Sequence, residues 1–256
     1  MRKGSFTAAA TIGLFMLLAQ GAAVEAAEVR VIAGAALSGV MGELGPQFER
    51  ATGHKLMIQY GVAAGMQRQI EAGEAFDLAI VGSETMDAVA KQGKIAAGTR
   101  TDIARVGMGV GVRAGAPKPD ISSADAFKRA LLNAKSVTYA PEGATGIHLA
   151  KVFARLGITE QMKAKTTPQK IPARIAHAVA DGEAELGFAV TNILLSVRGV
   201  ELAGMFPGEL QNYLLFTAGV GTDAKQPDAA KALIKHLTAP NAVPVIKAKG
   251  LEPVAR

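Results

Sequence analysis

Val29-Arg-Val-Ile-Ala-Gly-Ala-Ala-Leu-Ser38, followed at helical spacing by Val40, Met41, Leu44 and Phe48, is the stretch on which the fold is read. Its β-branched start predicts a strand. The small residues after Ala33 predict a tight turn, and the apolar spacing predicts a helix that Gly53 closes. Pro46 lies inside that helical pattern, so a kink or a late start is expected there. A strand passing through a short turn into a helix is the unit of a parallel α/β sheet.

The same unit recurs on both sides. Lys55–Tyr60 reads as a second strand, Met66–Ala72 as a helix ended by Gly73, and Asp77–Val81 as a third strand before a helix over Glu84–Gln92. Val106–Arg113 reads as a long strand. Ser122-Ser-Ala-Asp125 resembles a capping box opening a helix to Asn133. Ser136–Ala140 and Glu185–Val190 read as strands, with helices over Gly146–Leu156 and Pro172–Ala180. Tyr213–Val220 is a further long strand, and helices over Asp228–Leu237 and Asn241–Ala248 close the chain. This alternation predicts an α/β protein of two lobes, each a mostly parallel sheet flanked by helices. Crossings are expected near 107–113 and 215–221. Residues 27–110 with 220–256 then form lobe 1, and residues 111–219 form lobe 2.

The N-terminus sets the compartment. Met1-Arg2-Lys3 is basic, Phe6–Ala19 is mostly apolar, and small residues lead to Ala26. That order is a secretory signal peptide over residues 1–26, and the rest is expected in the periplasm. The chain has no Cys, which excludes a lipid-anchored cysteine, disulfides, thiolate metal sites and a cysteine nucleophile. Its charge of +6 is scattered and aromatics are 5%, so no nucleic-acid footprint is expected. A monomer is expected, with a mild preference for an anionic ligand.

Ligands of open α/β sheets sit beyond the carboxyl ends of the strands, where helix N-termini converge. The turns at 33–38, 61–65, 140–146 and 190–192, with the helix start at Ile171-Pro172, therefore supply the candidate ligand-binding residues. These are Ala36, Ser38, Ala63, Ala64, Thr145, Gly146, Ile171, Thr191 and Asn192. Small residues let backbone N–H groups approach a ligand, although they also suit tight turns for their own sake. Catalytic, metal and cofactor motifs are poor. The four His have no ligand spacing, and Gly107-x-Gly109-x-Gly111 lies in a strand pattern rather than opening a helix. No cofactor is expected.

Val31-Ile-Ala-Gly-Ala-Ala-Leu37, Arg68-Gln-Ile-Glu-Ala-Gly73, Phe76-Asp-Leu-Ala-Ile80 and Gly182-Glu-Ala-Glu-Leu-Gly-Phe188, taken in order, resemble the periplasmic molybdate-binding proteins of ABC transporters. The resemblance is collinear over essentially the whole chain after the signal. It implies a type II periplasmic-binding-protein fold, a ligand held between two closing lobes, and an ABC permease in the inner membrane as partner. It further implies an anion held by backbone amides, serine hydroxyls and a tyrosine. Three of those hydroxyl positions are Ala36, Ala63 and Val190 here, and one hydroxyl is gained at Thr145. Ser38, Ser83, Thr191, Asn192 or Arg174 are candidates to compensate. Otherwise the ligand is an organic acid whose apolar part packs on Ala36, Val62, Ala63 and Val190. Two alternatives stand beside transport. One is a sensory binding protein. The other is an enzyme such as a dehydratase on the same fold, for which Glu142 with His148 is the local acid/base candidate.

Overall fold

The computed structural model describes residues 26–254, so the signal-peptide reading falls outside it except for Ala26. The chain runs β1 (Glu28–Gly34), a 3-10 turn (Ala35–Leu37), α1 (Ser38–Thr52), β2 (Lys55–Gly61), α2 (Ala63–Glu71), β3 (Leu78–Gly82), α3 (Ser83–Lys91) and β4 (Thr101–Arg113). Next come α4 (Ala124–Asn133), β5 (Val137–Tyr139), α5 (Ala144–Leu156), α6 (Thr159–Lys165), β6 (Thr166–Pro168), α7 (Ala173–Ala180), β7 (Leu186–Val190) and α8 (Thr191–Leu194). Last are β8 (Val200–Met205), β9 (Tyr213–Val220), α9 (Pro227–Leu237), α10 (Ala242–Ala248) and β10 (Glu252–Pro253).

The strands follow the order β2-β1-β3-β9-β4-β7-β5-β6, with β8 and β10 also pairing β4. β1 lies parallel to β2 and β3, and β5 lies parallel to β6 and β7. The long strands β4 and β9 add antiparallel pairings, with each other, with β3 and with β7. β4 pairs β9 through residues 101–107 and β7 through residues 108–111, so one strand serves both groups. Among the described residues, β9 pairs with β3 and β4.

Helices cover both faces of the first group. Val29, Val31 and Ala33 point into a large core shared with α1 and α9, while Ile32, Ala79 and Val81 join Met66, Ile70 and Met86 under α2 and α3. β3 is consequently buried along its whole length. At its start Asp77, 3% exposed, accepts the Arg30 N–H at 2.8 Å on one oxygen. Its other oxygen accepts the Lys225 and Gln226 N–H groups at 2.7 and 2.9 Å, tying β1, β3 and the loop before α9 together.

Two local expectations change. α1 begins at Ser38 and continues through Pro46 to Thr52, so it has no late start. The residue one turn before the proline is the exposed Gly42, so the carbonyl that loses its partner faces water and the ring meets no side chain. The cap of α4 is Ser123, whose hydroxyl accepts the Ala126 N–H at 3.1 Å; Ser122 bonds Asp120 instead.

Glu49 joins α1 to β2. Its carboxylate accepts the Leu56 N–H at 2.8 Å and meets the Lys55 ammonium at 3.4 Å. The Leu56 hydrogen bond, helped by Lys55, holds this carboxyl below its ordinary value. The stabilisation is complete above the titration of an unfolded glutamate, about pH 4.3, and is lost as pH falls through the lower folded value. Glu49→Gln is therefore expected to reduce stability at pH 7 and to have a smaller effect near pH 3, as read by urea unfolding at the two pH values.

Candidate ligand site

β1, β2 and β3 each end on a glycine, at Gly34, Gly61 and Gly82. Gly34 and Gly61 are partners in the parallel register. A Cβ at Gly34 would lie 2.6 Å from the Phe216 ring, one at Gly61 2.8 Å from Met66, and one at Gly82 2.9 Å from Leu214. The row of glycines therefore leaves a hollow at the carboxyl ends of the strands, where a row of side chains would close it.

That hollow is an inner chamber of about 70 Å³. The turns converge on it as expected. Ala36 comes from the 3-10 turn after β1, Ala63 opens α2, Ala144 and Thr145 open α5, Pro172 precedes α7, and Val190 precedes α8. Amides in a first helical turn have no acceptor within the helix and carry the positive end of its dipole. Phe188, Phe216, Leu214 and Ile175 supply apolar walls, and no ionisable side chain lines the chamber. Thr145 is 8% exposed and brings the one side-chain hydroxyl of the lining.

An outer chamber of about 300 Å³ adjoins the first and shares Ala63, Gly82, Ala144 and Leu214 with it. Its lining is polar: Ser83, Glu84 and Thr85 from α3, His148 and Lys151 from α5, and Tyr213. Direct bonds span the cleft around the two chambers. Arg68 pairs with Glu142 at 2.8 Å, the Ala64 N–H donates to the Glu142 carbonyl at 3.2 Å, and the Asn192 amide donates to the Ala36 carbonyl at 2.8 Å. The remaining Asn192 oxygen is buried and has no partner.

Of the residues expected at the site, Ala36, Ala63 and Thr145 meet on the inner chamber, as does Val190. The others stand elsewhere. Ala64 lines the outer chamber, and its N–H is engaged by Glu142. Gly146 packs under the chamber, where a Cβ would lie 2.7 Å from Pro141 Cα. The Ile171 side chain is 62% exposed, and Pro172 takes its place. Ser38 is exposed on the first turn of α1, because the turn before it is already helical and rotates it outward. Thr191 sits beside Gly109 on β4, and Asn192 bridges the cleft instead of lining it. None of the compensating side chains reaches the inner chamber. Ser83 lines the outer one, and Arg174 pairs with Glu183 at 3.3 Å. Glu142 pairs with Arg68 at 2.8 Å, and His148 bonds the Leu210 carbonyl at 2.8 Å. Sequence reading missed the aromatic walls, since Phe216 and Phe188 look like ordinary strand core. The glycine ending each of three strands was the signal for the hollow.

The profile of the bacterial extracellular solute-binding proteins matches residues 29–252. This chain belongs to that family. An aconitate isomerase of a Pseudomonas species is 32% identical over 231 residues, covering 88% of this chain and 87% of that protein. A molybdate-binding protein of Azotobacter vinelandii is 34% identical over 236 residues, covering 89% and 91%. The solved periplasmic molybdate-binding protein of Azotobacter vinelandii shares the two-lobed fold, with a TM-score of 0.71 at 20% identity over 89% of this chain and 99% of that one. The solute-binding chain therefore carries the family's fold around an inner chamber whose side chains are mostly hydrocarbon.

Proposed function

We propose that this chain is the periplasmic receptor of an ABC-type uptake system and that it captures a small carboxylate between two lobes, docking on an inner-membrane permease as a monomer. The lobes divide within β4 near Gly107 and again in the segment between β8 and β9. The observation that carries the ligand class is the lining of the inner chamber. Helix starts of α2, α5, α7 and α8 border it, Thr145 brings its one side-chain hydroxyl, and the remaining walls are apolar. A tetrahedral oxyanion has acceptors on every side and is poorly served by such walls. A carboxylate presents two oxygens to the amides and Thr145, and its carbon chain to Ala36, Ala63, Val190 and Phe216. The aconitate isomerase relative, whose named substrate is a carboxylate, supports the same class.

The test is a thermal-shift screen of short carboxylates against molybdate, tungstate and sulfate. A true ligand at 100 times its dissociation constant adds about 2.7 kcal/mol of stability. Carboxylates are expected to give that shift; micromolar stabilisation by molybdate would overturn the ligand class. Thr145→Ala removes the one hydroxyl and is expected to weaken carboxylate capture by about tenfold or more, since a hydrogen bond to a charged group contributes about 1.5–3 kcal/mol. Calorimetric titration of the variant checks this, and an unchanged affinity would remove Thr145 from the site.

The isomerase relative favours a second reading, in which the cleft turns its ligand over. Proton transfer needs an acid or base within hydrogen-bond reach of the substrate. Glu84, His148, Lys151 and Tyr213 are the ionisable groups that line the outer chamber. Incubating the purified protein with cis- or trans-aconitate and following the proton spectrum decides between the readings, because a receptor leaves either isomer unchanged.

A further inference from the structure

We propose that the outer chamber is a second anion subsite and that the solute is therefore a short dicarboxylate, one end in each chamber. This rests on the reading of the inner chamber as a carboxylate site. The chambers share Ala63, Gly82, Ala144 and Leu214, so a molecule anchored at the α5 start by one end extends into the larger space with the other. The inner chamber is small beside its neighbour, about 70 against 300 Å³.

Three features of the outer chamber point to what it holds. Thr85 is 6% exposed and brings a hydroxyl to the lining. Lys151 stands on α5 one turn beyond His148, and its ammonium has no carboxylate partner among the described residues. His148 is anchored through one ring nitrogen to the Leu210 carbonyl, which fixes the wall beside Lys151. Glu84 is the one carboxylate lining the chamber, and it comes from α3. Its charge drives an entering anion away from the α3 start and toward Lys151. The two charges thus give the subsite a direction: the distal carboxylate lies against α5, within reach of Lys151.

The experiment is calorimetric titration with matched pairs, succinate against butyrate and glutarate against valerate, on the unaltered protein and on Lys151→Gln and Glu84→Gln. A dicarboxylate is expected to bind about tenfold or more tighter than its monocarboxylate, the gain of one charge-assisted hydrogen bond. Lys151→Gln is expected to abolish that advantage, and Glu84→Gln to enlarge it severalfold. Thermal unfolding of each variant confirms that it is folded. Equal affinities within each pair, or an advantage that survives in Lys151→Gln, would overturn the subsite while leaving the inner carboxylate site standing. Absence of binding by any carboxylate would instead overturn the reading of the inner chamber, and this subsite with it.

Discussion

Phe188→Ala is expected to lower the unfolding free energy by about 3–5 kcal/mol, the usual cost of emptying a buried aromatic site. Phe188 is fully buried on β7. Its ring meets Phe127 edge-on at 6.2 Å and Phe206 at 6.1 Å, and each such aromatic contact adds to the burial. The same ring is a wall of the inner chamber, so its loss joins a packing void to the ligand cavity. Stability and capture should therefore fail together. Phe188→Leu keeps most of the volume and is expected to cost about half as much or less. Urea unfolding of the two variants, with carboxylate titration of the leucine variant, checks both effects. A stability loss under about 1 kcal/mol for the alanine variant would mean that this cluster is not the tightly packed unit described.

Asp77→Ala is expected to cost a similar amount, about 3–5 kcal/mol, for an electrostatic reason. Three backbone donors, from Arg30, Lys225 and Gln226, converge on this buried carboxylate. Hydrogen bonds to a charged group contribute about 1.5–3 kcal/mol each, and buried donors left without an acceptor carry their own desolvation cost. The sum stays below three full bonds, because water reaches part of the emptied space. Asp77→Asn separates charge from shape. Its one carbonyl oxygen still accepts from Lys225 and Gln226, but its NH₂ faces the Arg30 N–H, donor against donor. It should fall between the alanine variant and the unaltered protein. An asparagine variant as stable as the unaltered protein would show that the charge is dispensable.

How much of this was legible in the sequence depends on what sets each element. β1, its turn and α1 were readable because the apolar period switches within one segment. Of the kink or late start expected at Pro46, the late start is absent, since the cost of an internal proline depends on what surrounds it, and the exposed Gly42 makes room. β8 was overlooked: only Val200 is buried in it, and it owes its existence to pairing with β4. α6 buries only Met162, so no apolar stripe announced it. At the site, the turns that converge were legible from strand ends and helix starts. Which side chains face inward was not. Thr145 and Ser38 occupy comparable places after a turn, yet one is buried against the chamber and the other turned to water. That difference is set by how each helix meets its sheet, which residue spacing alone does not encode.

The Asn192 amide bonded to the Ala36 carbonyl bears on how fast the receptor works, apart from how tightly it binds. Both partners belong to the protein, so the bond forms whether or not a solute is present. It lengthens the time the cleft spends shut, which slows arrival by reducing the fraction of molecules ready to accept a solute. It slows departure as well, because an occupied cleft must break the same bond to open. An Asn192→Ala receptor should therefore exchange its cargo faster in both directions in stopped-flow experiments. The bridge sets a residence time, and through it the pace at which a permease can be fed.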